Sequence, residues 1–144
     1  MYVCLAVVDP HTKKFLPIVA AAAVAAGDAV ATTSVAQGAT VDLSTSTANF
    51  LRLTGTGNIE GANTAQEGFK AAIAGGQITV GAAGIDILTS YYDSANDLMV
   101  LGVVNSGGDA KIQATDVFTV ISRVEMTDGD YANFGNAQFT TFIA

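Results

Sequence analysis

Hydrophobic and polar residues alternate most clearly over 116–126. There Phe118, Val120, Ser122, Val124 and Met126 interleave with Val117, Thr119, Ile121, Arg123 and Glu125. A period of two sends successive side chains to opposite faces of a sheet, so the segment predicts a strand with one largely apolar face. Val117 and Ile121 make the other face half apolar as well, which calls for a second covering layer. Residues 2–8 and 98–104 are apolar on both faces and predict buried strands. Shorter strand patterns recur at 13–19, 29–35, 40–43, 50–54, 77–80, 85–88, 131–134 and 137–143, and 111–115 leads into the strand at 116–126. Asp9-Pro10-His11-Thr12, Gly27-Asp28, Gln37-Gly38, 55–63, 81–84, 105–109 and Asp128-Gly129 separate them as turns or connections.

One segment departs from this rhythm. Thr64 followed by Glu67 forms a capping-box signal, Phe69 and Ile73 lie one helical turn apart, and Gly75-Gly76 follows. A helix over 64–74 is predicted, although Gly68 inside it weakens helix propensity by about 1 kcal/mol relative to Ala. The chain therefore reads as one mainly β domain over 1–144, an antiparallel sandwich or barrel of about ten short strands with one short helix.

Composition narrows the setting. Half of the 144 residues are hydrophobic while 13% are charged, against roughly 25% charged in an ordinary soluble domain. Ala, Gly, Thr and Ser dominate, so few long charged side chains are left to coat a surface, and interfaces are depleted in Lys, Glu and Asp. This predicts an exterior covered in part by other subunits. Mean hydropathy is +0.42, yet no apolar run reaches the roughly 18 residues of a spanning helix, so no membrane partner is expected. The net charge of −7 and the lone basic pair Lys13-Lys14 argue against nucleic-acid binding. Residues 13–26 mimic a secretory signal, but an apolar strand precedes the lysines where a leader's basic start belongs. The expectation is synthesis in the cytoplasm without a cleaved signal.

Candidate chemistry is sparse. Cys4 is the single cysteine and reads as a small buried hydrophobe. His11 is the single histidine, in a turn with no accompanying nucleophile motif. Asp128 and Asp130 in one turn, and Asp93 and Asp97 in another, are weak calcium candidates. Neither has the spacing of a calcium loop, and Asx-rich turns explain both. No catalytic residue and no cofactor is predicted. The aromatics Tyr2, Tyr91, Tyr92, Phe139 and Phe142 are the interface candidates, because Tyr and Phe anchor contacts well.

The small-residue composition, the short strands and GDAV-type turns such as Gly27–Val30 resemble bacteriophage capsid decoration (cement) proteins. That resemblance implies a virion protein that forms homo-oligomers such as trimers and clamps a major capsid protein. Two alternatives follow from the residues. One is a self-assembling extracellular filament or surface-layer subunit, in which residues 137–143 complete a neighbour's sheet. The other is a small ligand-binding module assembled from residues distant in sequence.

Overall fold

The computed structural model describes residues 6–8, 15–17, 31–48, 50–55 and 64–135. Among these are ten strands and two helices. β1 (Ala6–Val8) and β2 (Phe15–Pro17) pair antiparallel. A five-stranded sheet contains β3 (Thr32–Ala36), β5 (Phe50–Thr54), β7 (Asp86–Asp93), β8 (Leu98–Asn105) and β10 (Phe118–Glu125), in the order β10-β8-β7-β5-β3. A three-stranded sheet contains β4 (Thr40–Asp42), β6 (Gln77–Thr79) and β9 (Lys111–Ile112), in the order β4-β6-β9. The protein is mainly β, as its alternating patterns predict.

Two expectations about the sheets change. In the two larger sheets the pairs β3–β5, β5–β7 and β4–β6 are parallel, and β7–β8, β8–β10 and β6–β9 are antiparallel. The cause is a chain that shuttles between sheets. β3 lies in the large sheet, β4 in the small one and β5 in the large one again, so strands two apart in sequence become same-direction neighbours. Parallel neighbours need such a crossover, and a tight turn cannot supply it. The large sheet ends on β3 at one side and β10 at the other, so it does not close into a barrel.

α1 (Ala65–Ile73) begins and ends where its residues dictate. Thr64 Oγ1 accepts from the Glu67 N–H at 3.2 Å, and the Glu67 carboxylate accepts from Lys70 Nζ at 2.8 Å. At the other end Ala74 and Gly75 both take left-handed backbone angles, φ 44° and 79°, a conformation that Gly adopts without strain and that turns the chain out of the helix. Phe69, Ala72 and Ile73 face inward.

The large sheet separates two cores. On its first face Val35, Leu51, Leu53, Tyr91, Val100 and Val104 pack with Phe69, Ala72 and Ile73 of α1 and with Ile78 and Ile112 of the small sheet. On its second face Phe50, Leu88, Tyr92, Met99 and Leu101 pack with Met126, Tyr131 and Phe134. Strands buried on both faces lose the clean alternation of a solvated sheet. For this reason β7 runs on through Tyr91 and Tyr92, beyond the predicted 85–88.

The alternation over 116–126 is real but does not define one face. Val120 pairs with Gly102 and Ser122 with Leu101, which leaves Ile121 as the extra residue of a β-bulge. Before the bulge Phe118 and Val120 join the first core; after it Val124 and Met126 join the second, with Ile121. β10 is an edge strand, and Val117 just before it is 71% exposed. Where β10 passes β8, a Cβ on Gly102 would come within 2.5 Å of Phe118 Cζ and of the Thr119 carbonyl, so only glycine fits that crossing.

Residues 131–134, predicted as a strand, belong instead to the end of α2 (Asp128–Ala132) and the turn after it. Thr127 caps this helix by accepting from the Asp130 N–H at 3.1 Å. The predicted strand at 137–143 lies outside the described residues.

Candidate functional site

A concave feature among the described residues lies between the two sheets, beneath two connections that carry the chain from the small sheet to the large one. One connection follows β4 through residues 43–48, and the other follows β6 through Val80–Ile85. Together with the strands below, they enclose a cavity of about 380 Å³. Its walls are Leu43, Leu51, Ile78, Val80, Ile87 and Ile112, with Thr33, Ser44, Ser46 and Asp86 as its polar members. This size lies within the roughly 300–1,000 Å³ of small-molecule sites. The cavity opens to the exterior between the connections.

Local hydrogen bonds fix both connections. In the first, the Asp42 carboxylate accepts from the Ser44 N–H at 2.9 Å, and Ser46 Oγ accepts from the Ala48 N–H at 3.1 Å. The Ser44 hydroxyl and then its N–H hold the Asp42 carboxyl below its usual range. In the second, the fully buried Ser106 does the work. Its hydroxyl accepts from the Ile85 N–H at 3.1 Å and donates to the Ala82 carbonyl at 2.9 Å. Asp86 stands exposed at the cavity rim, where Asn105 Nδ2 donates to its carboxylate at 2.6 Å. Ser106 sits in what the sequence presents as a plain turn, and its one visible signal is the NSGG setting.

The residues singled out from sequence have other work. Tyr91 and Tyr92 are 2% and 8% exposed, so they serve this chain's own interior rather than a free surface. Tyr91 donates to the Ala65 carbonyl at 2.9 Å, and Tyr92 donates to the Asp97 carboxylate at 2.7 Å. Burial, with Asp93 nearby, pushes the Tyr91 phenol up to about 12. Burial also pushes Tyr92 up to about 12, helped by its hydrogen bond to Asp97. Asp93 is a turn residue whose two oxygens accept from the Ala95 N–H at 3.1 Å and Asn96 Nδ2 at 2.8 Å. Asp130 accepts from Thr127 Oγ1 at 2.8 Å in the first turn of α2, where Asp128 also sits. Among the described residues, no three His, Cys, Asp or Glu side chains are grouped to hold a metal ion. Among them, too, no helix is long and apolar enough to cross a membrane. Tyr2, Phe139, Phe142, Cys4 and His11 lie outside the described residues.

A second polar constellation ties α2 to the large sheet. Arg52 Nη1 donates to the carbonyls of Ala132 and Phe134, both at 2.6 Å, and of Tyr131 at 3.1 Å, while Nε donates to Ser34 Oγ at 3.1 Å. Tyr131 donates to the Leu53 carbonyl at 2.8 Å and lies 3.1 Å from Ser90 Oγ. Burial raises the Tyr131 phenol well above its ordinary value. This network ties elements together: the Arg52 guanidinium bridges Ser34 of β3 to three carbonyls at the end of α2, and Tyr131 joins α2 to β5.

Comparison of the chain with protein-family models, with curated proteins and with solved structures gave no match.

Proposed function

We propose that this chain is a structural subunit that packs against other subunits of a large assembly, of the virion-decoration kind that its composition resembles. The observation that carries this reading is an asymmetry between the two sides of the sheets. On one side, among the described residues, β3 and β4 form the edges of both sheets within a single stretch, 31–48, where Asp42 is the one charged residue. Ser34, Ala36, Gly38, Thr40 and Ser44–Thr47 are exposed there. On the other side, β10 carries Arg123, Glu125 and a bulge, and β9 is two residues long with Lys111. Charges, bulges and brevity are the usual guards against edge-to-edge pairing. One side has all three, whereas on the β3–β4 side the five-residue β3 carries no charge and no bulge, and the short β4 carries the single charge Asp42. A two-sheet sandwich is the fold that goes with this role, with the small sheet and α1 covering one face of the large sheet.

The subunit's partners in this reading are copies of itself and a capsid lattice. The test is sedimentation velocity on the wild type and on the double variant Ala36→Lys/Thr40→Lys. The wild type is expected to form a discrete oligomer, and the variant to run as a monomer with an unchanged melting temperature. A wild type that remains monomeric at high micromolar concentration would overturn the proposal, as would a variant that associates like the wild type. Electron microscopy then separates the assembly types: rings closed by rotation agree with decoration, and open head-to-tail chains point to a filament instead.

A further inference from the structure

We infer that the cavity beneath the two connections is a binding site for a small amphiphile with an apolar body and a cationic amine head. The inference does not rest on the assembly reading, but Ser44 and Ser46 belong to both surfaces, so binding is measured on the Ala36→Lys/Thr40→Lys variant as well as on the wild type. The cavity is more than twice the roughly 150 Å³ of an apolar cavity that takes up benzene. Its walls are branched aliphatic side chains, Leu43, Ile78, Ile87 and Ile112 among them, which offer dispersion contacts and no competing hydrogen bonds.

Polarity is confined to a few groups. Ser44, Ser46 and Thr33 supply hydroxyls, and Asp86 is the one charged residue in the lining. Its carboxylate has about four acceptor positions, of which Asn105 Nδ2 takes one, so it can accept from an ammonium as well. The chain's net charge of −7 adds an attractive field for cations and a repulsive one for carboxylates. The site is also built to keep its shape. Ser106 and the Asp42–Ser44 and Ser46–Ala48 bonds brace both connections, so little ordering is left for the ligand to impose.

The test uses three eight-carbon probes, octylamine, octanol and octanoate, titrated into the full chain and read by isothermal calorimetry and by the methyl NMR signals of Ile78, Ile87 and Ile112. Octylamine is expected to bind at one site and shift all three methyls. Octanoate is expected to bind about tenfold more weakly, because attraction to Asp86 is replaced by repulsion. In Asp86→Asn the preference for amine over carboxylate should shrink to about twofold, with octanol binding unchanged. Ala48→Trp, which adds an indole to the lining, should abolish binding of all three. The proposal fails if octylamine leaves the methyls unshifted up to its solubility, or if amine and carboxylate bind the wild type equally. It also fails if Asp86→Asn, a surface change that leaves folding intact, keeps the full preference.

Discussion

Replacing a helical glycine by alanine ordinarily stabilises a protein, and Gly68→Ala in this chain should do the opposite. Gly68 lies in the buried face of α1, against the ring of Tyr91. An added Cβ would stand 2.5 Å from Tyr91 Cζ and 2.6 Å from Cε2, and closer still to the hydroxyl. Helix propensity favours the alanine by about 1 kcal/mol. Against this, forcing a methyl into a filled core costs about 1–3 kcal/mol. Tyr91 cannot swing aside freely, because it is 2% exposed and its ring packs on Phe118 with centroids 5.6 Å apart. Displacing it would also break its hydrogen bond to the Ala65 carbonyl, and a buried group left unpaired costs about 1–3 kcal/mol. The net expectation is a loss of about 2 kcal/mol, a fall in melting temperature of roughly 4–8 °C for a chain of this size. Thermal and urea unfolding followed by circular dichroism would measure it. In a Tyr91→Leu background the obstructing atoms are gone, and the same Gly68→Ala change should be neutral or stabilising by up to about 1 kcal/mol. If Gly68→Ala raises the melting temperature of the wild type, the packing of α1 on β7 described above is wrong.

Two further outcomes follow from the second face. Arg52→Ala should destabilise by about 2–4 kcal/mol in urea unfolding, since one guanidinium serves three carbonyls at the end of α2. Hydrogen exchange should accelerate over 128–134, Arg52→Lys should recover about half of the loss, and a loss below about 0.5 kcal/mol would show the staple to be idle. Alkaline pH should unfold the protein through its buried phenols: with Tyr91 and Tyr92 raised to about 12, the native state holds protons that the unfolded chain releases near pH 10. Their stabilising effect is therefore complete below about pH 10 and is lost as pH rises toward 12. Stability that stays flat across that window, with tyrosinate absorbance appearing near pH 10 in the native state, would contradict the burial of both rings.

Elements defined by local chemistry were legible in the sequence, and arrangements defined by distant contacts were not. β5 matches its alternation residue for residue, and α1 starts at the Thr64 cap and stops at the Ala74-Gly75 reversal. The bulge at Ile121 left no trace, because Ile is at home on either face and only pairing with Gly102 and Leu101 reveals the slip. Residues 131–134 read as a strand because they follow the Asp128-Gly129 turn, but Tyr131 and Phe134 stand three apart, the spacing of one helix face rather than one strand face. Thr127 and Asp130, spaced as an N-cap and its third helical residue, were the signal that favours α2. The parallel pairing was hidden because strand length and composition do not record which sheet a strand joins. The cavity was invisible for a related reason: its two roofing connections are far apart in sequence and each reads as an ordinary loop. Of the aromatic interface candidates, Tyr91 and Tyr92 lie buried in this chain's own two cores.

The phase change in β10 bears on how the molecule comes apart. A strand at the margin of a sheet is normally the first to peel away, opening in a low-energy fluctuation while the rest stays folded. Here Phe118 is held on one side of the sheet, and Val124 and Met126 on the other. Lifting the strand from either end therefore disturbs hydrophobic contacts on both sides, and neither core can loosen without pulling on its counterpart. A single inserted residue thus converts the most vulnerable strand into the link that makes unfolding all-or-none.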